Sequence, residues 1–484
     1  MKNVFCILLL ICGSAFSEEM PLSVEQAAIA AQRPAGVPKY SDVCMSSRWK
    51  RPKTESDPHD TLADAAAFHA TRLEWCYSFD AQWIKQVKAM GYFYGGTLNS
   101  CLADQWPAGS GELTYRQGRI RDKKGAFITA PWMSMWTPVP YWGCVNSPEY
   151  RKIYLDCAKF LIEAGADAIQ TDDPTCNLSA LRWGGCFCEY CVSKAAVKYV
   201  DPEDPEQLMA FTVDSVKDFY IEMNQAADKI AQRHVATSSN NFGGQWTMPY
   251  SMFDYGIAEY ENPTPEKIYE LAAAVKTLGK AQVITLRNEG VSMNRKAIAL
   301  CYSTGISMLC PYDVYLRSTS DGSQRLFIAA DKVADIYGFA RANAEYLDGY
   351  EDAAAAGGDI EETRYEGTKP LDVMYKGMYG FVRAKPGMPD APVVIHLLNW
   401  VGAKMPFKIR LNNPNFFGGK PFDARLIIPA DYNKELHDKC EQSKDYSPLS
   451  ITAEITAQTE GQTTTISIPP INPWAILILT QHTD

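Results

Sequence analysis

The 484-residue sequence lacks any long run of basic residues, and its densest basic stretch is the short segment from Arg119 to Lys124. It contains 47 Lys and Arg against 57 Asp and Glu, which gives a formal net charge of −10. Nucleic acids and anionic membrane surfaces bind basic patches, so neither is an expected partner. After the N-terminus no apolar run approaches the roughly 20 residues that cross a bilayer, so we expect no membrane insertion.

Several catalytic signatures are also missing. The sequence has no G-x-S-x-G, no H-E-x-x-H and no P-loop motif, and its six histidines show no metal-ligand spacing. These absences argue against a serine hydrolase and a zinc peptidase. With 46% hydrophobic and 21% charged residues, the chain is too apolar for a disordered protein and is typical of a large packed globule.

The N-terminus has the pattern of a secretory signal peptide. A basic residue at position 2 precedes the apolar run 4–12, and the small-x-small triplet Ala15-Phe16-Ser17 follows it. We therefore expect residues 1–17 to be removed, with cleavage after Ser17, and a periplasmic or extracellular protein. Lipidation at Cys12 is the alternative, but lipoprotein signals prefer a small residue where this chain has Ile11.

From residue 71 to about residue 346, short apolar runs alternate with helical stretches. The alternation predicts a (β/α)8 TIM barrel over residues 71–355. A doubly wound open sheet is the alternative, but no Gly-rich phosphate-binding fingerprint follows the first run. The predicted strands are 72–77, 92–98, 126–132, 166–172, 235–240, 255–261, 282–287 and 305–313. The predicted helices are 80–90, 148–164, 206–233, 265–278, 294–303 and 324–346.

The sequence changes character after Gly357-Gly358. Short β-rich runs, several of them alternating polar with apolar residues, are separated by Gly, Pro, Asn or Asp. They predict a C-terminal all-β sandwich domain over residues 356–484. Residues 18–70 are expected to form an N-terminal segment that wraps the barrel, with a candidate edge strand at 40–49.

Function in a TIM barrel lies at the C-terminal ends of the strands. Most of these positions are acidic here, and no histidine ends a predicted strand. Because side chains alternate along a strand, Gln170 and Asp172 are expected to face the barrel axis, opposite Ile169. Side-chain orientation on the sixth strand is ambiguous. The catalytic candidates are Asp172, Glu259, Asp173, Glu261 and Glu289.

Carboxylates that converge with Asn, Arg and aromatic side chains suit glycoside hydrolysis. This reaction needs a protonated carboxylic acid beside the leaving oxygen and a second carboxylate as nucleophile or base. We expect Asp172 to be the nucleophile or base and Glu259 the general acid. Solvated or ion-paired acidic residues at the rim are the alternative. The residues expected to contact a carbohydrate substrate are Glu74, Trp75, Trp132, Trp136, Asn240, Arg287 and Asp313.

The loop 132–142 carries three tryptophans and a tyrosine. Flat aromatic faces stack on the apolar faces of sugar rings, and such rings are costly to leave in water. We therefore expect Trp132 and Trp136 to stack on a sugar. A lid that simply packs on the barrel is the alternative.

Three cysteines in C-x-C-x-x-C spacing, Cys186, Cys188 and Cys191, follow the predicted fourth strand. The spacing suits a structural zinc whose fourth thiolate would come from Cys144, Cys101 or Cys176. Disulfides are an equal alternative, because an exported chain permits them. In both cases the cysteines would brace the loop, and no cofactor is expected for catalysis.

Residues 165–174, followed by this cysteine loop, resemble the barrel proteins grouped as family-forty-two-like glycoside hydrolases. In the β-galactosidases of that kind, a C-x-C-x-x-C loop after the fourth strand helps to bind a structural zinc. The run 394–400 is similar to the β-domain that follows their barrel. Those enzymes carry an Asn-Glu pair where this chain has Asp172-Asp173. An aspartate there is similar to the α-glycosidase barrels, with the nucleophile on the fourth strand and the acid on the sixth. The resemblance implies a carbohydrate-active enzyme and leaves the linkage open.

Two other functions stay open at the level of sequence. A glycan-binding protein that kept the barrel and lost catalysis would keep the aromatic residues and tolerate loss of any one carboxylate. A polysaccharide lyase would need a base and cations beside a uronic acid. Arg287 is the only strong inward cation that the pattern predicts, so an acidic mouth fits a lyase poorly.

Overall fold

The computed structural model describes residues 21–46, 60–102, 118–135, 140–286, 290–312 and 328–482. The predicted signal peptide lies outside these ranges. Within them, no helix combines the length and the apolar character that a membrane span requires.

Eight parallel strands form the first domain, and each pairs with the next along the chain. The ring closes where the amide of Cys310 donates to the carbonyl of Cys44 at 2.7 Å, beside a parallel bridge between Met45 and Cys310. The predicted TIM barrel is therefore confirmed. The strands are β1 (Cys44–Ser46), β2 (Arg72–Cys76), β3 (Phe93–Asn99), β4 (Ala168–Asp172), β5 (Ala236–Ser239), β6 (Tyr255–Tyr260), β7 (Ala281–Leu286) and β8 (Ser307–Met308).

The first part of the barrel differs from the prediction. Strand β1 falls in the N-terminal segment, where an edge strand at 40–49 but no barrel strand was expected, so the barrel begins before residue 71. The predicted strand 126–132 is not a barrel strand. Its residues Phe127 and Thr129 form antiparallel bridges with Arg121 and Tyr141, which belong to the same β3–α4 connection. The two errors cancel in the count, so strands four to eight keep their predicted numbers.

Helices surround the barrel and connect its strands. Ser147 accepts from the amide of Tyr150 at the start of α4, and Gly165 ends that helix with a φ of +111°. The predicted helix 324–346 is shorter, because the backbone of Val333 is not helical and α10 begins after it. The helices are α1 (Val24–Ala27), α2 (Thr61–Ala67), α3 (Ala81–Ala89), α4 (Pro148–Ala164), α5 (Asn177–Ala180), α6 (Glu189–Val197), α7 (Pro205–Ala231), α8 (Pro265–Thr277), α9 (Val291–Thr304), α10 (Ala334–Ala342) and α11 (Lys434–Ser443).

The C-terminal part is all-β apart from α11, as predicted. This part contains two antiparallel sheets. One has six strands in the order β15-β14-β18-β12-β11-β9, and the other has four in the order β10-β13-β17-β16. Strand β9 belongs to the larger sheet, so this domain begins before residue 356. The strands are β9 (Glu351–Ala356), β10 (Leu371–Val373), β11 (Met378–Ala384), β12 (Val393–Asn399), β13 (Phe407–Asn412), β14 (Phe422–Pro429), β15 (Ser450–Ala453), β16 (Thr456–Glu460), β17 (Thr463–Ile468) and β18 (Trp474–Gln481).

Aromatic packing joins the β-domain to the barrel. The ring of Trp474 on β18 stacks on Tyr302 of α9, with centroids 5.6 Å apart, and meets Phe339 of α10 edge-on at 4.8 Å. All three side chains are buried. The packing therefore involves two of the helices around the barrel, α9 and α10.

Candidate functional site

Strand β4 has the predicted orientation. Ile169 packs in the core between the barrel and its helices. Gln170 points the other way, and its side-chain oxygen accepts from the hydroxyl of Thr97 on β3 at 2.9 Å. Asp172 follows two residues later and therefore also faces the barrel axis, at the C-terminal end of the strand.

Asp172 is held at the barrel mouth by residues that follow two other strands, β2 and β5. The hydroxyl of Tyr77, just after β2, donates to Oδ2, and the side-chain amide of Asn240, just after β5, donates to Oδ1 at 3.1 Å. Asp172 is only 6% exposed. Its carboxylate is thus fixed in orientation through both oxygens.

Asn240 also presents a second polar atom. Its side-chain oxygen is buried without a hydrogen-bond partner among the described residues. A buried acceptor left in this state costs about 1–3 kcal/mol, which a donor on a ligand would recover. This geometry is compatible with the predicted contact between Asn240 and a sugar hydroxyl.

Asp173 lies at the turn after β4 and connects the carboxylates to an aromatic surface. Its backbone adopts a φ of +54°. Its Oδ2 accepts from the indole nitrogen of Trp132 at 2.7 Å. Trp132 is 42% exposed and meets the buried Trp142 edge-on, with centroids 5.5 Å apart. An exposed aromatic side chain therefore contacts Asp173, the residue that follows Asp172.

The two glutamates of the sixth strand differ in position. Tyr255 and Ile257 on β6 pack inside the barrel. Glu259 shares their side of the strand and is half-buried at its C-terminal end. Glu261 lies just beyond β6 and is exposed. Glu259 thus points toward the mouth, two strands from Asp172.

The structure does not support the predicted substrate contacts of Glu74 and Trp75, because both side chains are buried. Glu74 has no exposed surface, because it forms an ion pair with Arg72 at 2.8 Å and accepts from Tyr255 at 3.0 Å inside the barrel. Trp75 is only 1% exposed, because a register irregularity between Leu73 and Cys76 turns it into the barrel interior. Glu74 therefore lies in the barrel interior, and Trp75 reaches the mouth only through its indole nitrogen, which donates to the hydroxyl of Tyr77 at 3.4 Å.

Four predicted residues fall outside the described ranges and stay predictions. They are Trp136, Arg287, Glu289 and Asp313.

Two tyrosines at the mouth were missed by the sequence analysis. Tyr77 follows the irregular part of β2, so strand alternation could not orient it. Tyr250 lies in a short 3₁₀ helix, Tyr250–Met252, between β5 and β6. Burial raises the pKa of Tyr250, and the charges of Asp173 and Asp172 add to the rise. The only sequence signal for these residues is their position in loops that follow barrel strands.

The cysteine loop folds into a compact cluster. The sulfur atoms of Cys144, Cys186, Cys188 and Cys191 all lie within 4.8 Å of one another and are buried. Cys144 lies 3.5 Å from Cys188 and from Cys191, and 3.7 Å from Cys186. The fourth thiol is therefore Cys144 and not Cys101 or Cys176. None of the four is joined in a disulfide, so the geometry favours a metal site over the disulfide alternative.

The cluster fits a zinc ion. Tetrahedral coordination with Zn–S bonds of about 2.3 Å places the sulfurs roughly 3.8 Å apart. The side-chain amide of Asn146 donates to Cys191 at 3.3 Å, and that of Asn177 donates to Cys144 at 3.5 Å. Such donors orient and stabilise thiolates from outside the ligand shell. These residues could therefore hold the metal.

Comparison with protein-family models and with curated proteins finds no match. Solved structures do match along most of the chain. Eubacterium rectale Amy13B is 8% identical with a TM-score of 0.52, over 96% of this chain and all of that one. The α-amylase from H. orenii is 10% identical, and the trehalose-6-phosphate hydrolase from Bacillus licheniformis is 9% identical. Each has a TM-score of 0.50, over 91% of this chain and 99% of its own. At such identities the likeness shows the fold alone: a TIM barrel followed by a β-domain.

Proposed function

We propose that the protein is a glycoside hydrolase that cleaves an oligo- or polysaccharide with carboxylates at the mouth of the barrel. The observation that carries the proposal is Asp172, inward at the end of β4 and held through both oxygens, followed by Asp173, which accepts from the exposed indole of Trp132. The fold is also shared with solved glycoside hydrolases, which supports the class of reaction. The family-forty-two resemblance stays a prediction.

Asp172 is assigned as the nucleophile or the water-activating base. Tyr77 and Asn240 orient its carboxylate, and a fixed orientation lowers the cost of reaching the transition state. Attack at the anomeric carbon, directly or through an activated water, breaks the bond to the leaving oxygen.

Glu259 is assigned as the general acid that protonates the leaving oxygen. Strands β4 and β6 are separated by β5, so they lie two interstrand spacings, roughly 10 Å, apart. Both side chains point inward, which shortens the gap between the carboxyl groups. Glu261 and Asp173 are the reserve candidates, and Trp132 supplies the stacking surface for a sugar ring.

We also propose that Cys144, Cys186, Cys188 and Cys191 hold a structural zinc. When bound, the metal crosslinks the loop before α4 to the start of α6. We assign it no part in the chemistry, because four buried cysteine ligands leave no open coordination position for a substrate or water. The N-terminal sequence supports export and cleavage after Ser17, which would place the enzyme outside the cytoplasm.

The test is hydrolysis of a panel of α- and β-linked aryl glycosides and native glycans by the mature chain. The variants are Asp172→Asn and Glu259→Gln, and the matched control is Asp390→Asn, at an exposed position of the β-domain. We expect both mouth variants to lose at least about a hundredfold in kcat/KM, while the control keeps wild-type activity.

Other outcomes separate the alternatives. Glycan binding without hydrolysis, unaffected by both mouth substitutions, would favour a binding protein. Products with an unsaturated sugar end would indicate a lyase. Activity that survives both substitutions would move the assignment to Glu261 and Asp173. The anomeric form of the first product, followed by NMR, decides between retention and inversion.

A further inference from the structure

A surface groove lies beside the loop that carries the cysteine cluster. Its volume of about 420 Å³ falls within the range of about 300–1,000 Å³ that is usual for small-molecule sites. Trp183, Phe187 and Leu208 supply apolar lining, while Asp122 and Lys124 supply polar groups. A groove that combines an aromatic wall with polar groups suits a polyhydroxylated ligand better than a purely apolar one.

The groove continues the aromatic surface of the barrel mouth. Trp183, which is 39% exposed, lies 6.2 Å from Trp132 between ring centroids. Trp132 in turn donates to Asp173, the residue after Asp172. The exposed indoles of Trp132 and Trp183 therefore lie between the carboxylate of Asp173 and the groove.

The walls of the groove are held in place. Lys123 and Glu203 form an ion pair of 2.6 Å, which joins the turn before Phe127 to the segment before α7. The ammonium of Lys123 also lies 5.0 Å from the ring centroid of Phe187. Gly184 and Gly185, which line the groove, directly precede Cys186 of the cysteine cluster. The cysteine cluster thus fixes one side of the groove, while an ion pair whose two partners are both exposed bridges the other side.

We propose that this groove binds sugar units of an extended glycan chain whose cleaved bond lies at the barrel mouth. The inference deepens the proposed function and rests on the assumption that the mouth binds sugar. It specifies the substrate as a chain longer than a disaccharide. Trp183 is the principal stacking residue of the groove and is not a catalytic residue.

The experiment uses the mature chain and ladders from disaccharide to hexasaccharide of the maltose, cellobiose, xylobiose and galactobiose series. Both hydrolysis and binding are measured, the latter by calorimetry with Asp172→Asn. Trp183→Ala is compared with Trp183→Phe, and Tyr199→Ala is the matched control, since Tyr199 is 94% exposed and does not line the groove. Thermal unfolding checks that each variant is folded.

We expect kcat/KM to rise with chain length in the wild type. Trp183→Ala should remove this rise through KM, by about tenfold for the hexasaccharide, equivalent to ~1.4 kcal/mol. Hydrolysis of an aryl monoglycoside should stay within twofold of wild type. Trp183→Phe should restore most of the difference, and Tyr199→Ala should change nothing.

Two results would overturn the inference. One is a Trp183→Ala effect that is equal for short and long substrates, or absent. The other is a failure of every hexasaccharide to bind. If the wild type hydrolyses nothing but binds a hexasaccharide about tenfold more tightly than Trp183→Ala does, the groove stands and the proposed hydrolase function falls.

Discussion

Replacing Glu74 with leucine should destabilise the barrel without removing a substrate contact. Glu74 is fully buried between Arg72 and the hydroxyl of Tyr255. Arg72 is 4% exposed, and its guanidinium lies 3.4 Å from the ring centroid of Phe93. Burial lowers the pKa of Arg72, but Glu74 and other negative groups around it together raise the pKa above its ordinary value, so the side chain is charged at every practical pH. Without Glu74 the Arg72 guanidinium loses its closest carboxylate.

The expected cost follows from what remains around the guanidinium. Breaking a buried ion pair by removing one partner costs about 3–5 kcal/mol. Arg72 keeps Asp42 at 3.6 Å and the carbonyl of Gly36 at 2.8 Å, so we expect the lower end, about 3 kcal/mol. The double variant Arg72→Met with Glu74→Leu should recover most of this loss, since an apolar pair of similar volume often replaces a buried ion pair without penalty.

Urea unfolding of the wild type, the two single variants and the double variant measures the free energies of unfolding. The control is kcat/KM on an aryl glycoside well below the unfolding transition, where we expect Glu74→Leu to match the wild type. The reasoning is refuted if Glu74→Leu costs less than about 1 kcal/mol, or if the double variant is as unstable as the worse single one. A hundredfold loss of kcat/KM in folded Glu74→Leu would restore Glu74 as a site residue.

Three further predictions follow from other contacts. Tyr77→Phe removes a donor to Asp172 and should lower kcat roughly ten- to a hundredfold with little change in thermal stability; an unchanged kcat would make Tyr77 a packing residue. Cys188→Ser should abolish stoichiometric zinc, measured by atomic emission, and lower the unfolding temperature; a wild-type content of less than about one zinc per chain would contradict the metal site. Burial, with a smaller contribution from His69, lowers the pKa of His437 to about 4. Unfolded histidine titrates near 6.5, so stability should fall by about 2.5 kcal/mol as the pH drops from 6.5 to about 4, and His437→Gln should lose this slope in pH-dependent unfolding.

Much of the barrel could be predicted from local sequence patterns. Helix α4 begins and ends where Ser147-Pro148 and Gly165 indicate, because capping is decided by residues at the helix ends. Strands β4 to β8 follow from apolar runs between such helices. Strand β1 was mistaken for an edge segment, because a three-residue strand carries little periodicity. The run 126–132 has the residues of a strand, but its partners lie within its own loop.

The site was predicted only in part, because strand alternation orients a side chain only where the strand is regular. Alternation along β4 correctly oriented Asp172, because Ile169 marks the side that faces the helices. The same rule failed for Trp75, since the irregularity in β2 interrupts the alternation. Tyr77 and Tyr250 lie in loops, where no period relates sequence position to side-chain direction.

The sequence by itself determined the alternation of strands and helices, the all-β character of the C-terminal part and the acidic ends of the barrel strands, because these depend on periodicity and on neighbouring residues. Only the tertiary structure decided which residues that are distant in sequence contact one another. In the structure, Cys144 is the fourth thiol of the cluster, and Tyr77 and Asn240 donate to Asp172. Glu74, which was expected at the mouth, is buried in the barrel interior. Contacts between residues far apart in the chain depend on strand register and loop path, which short-range patterns do not encode.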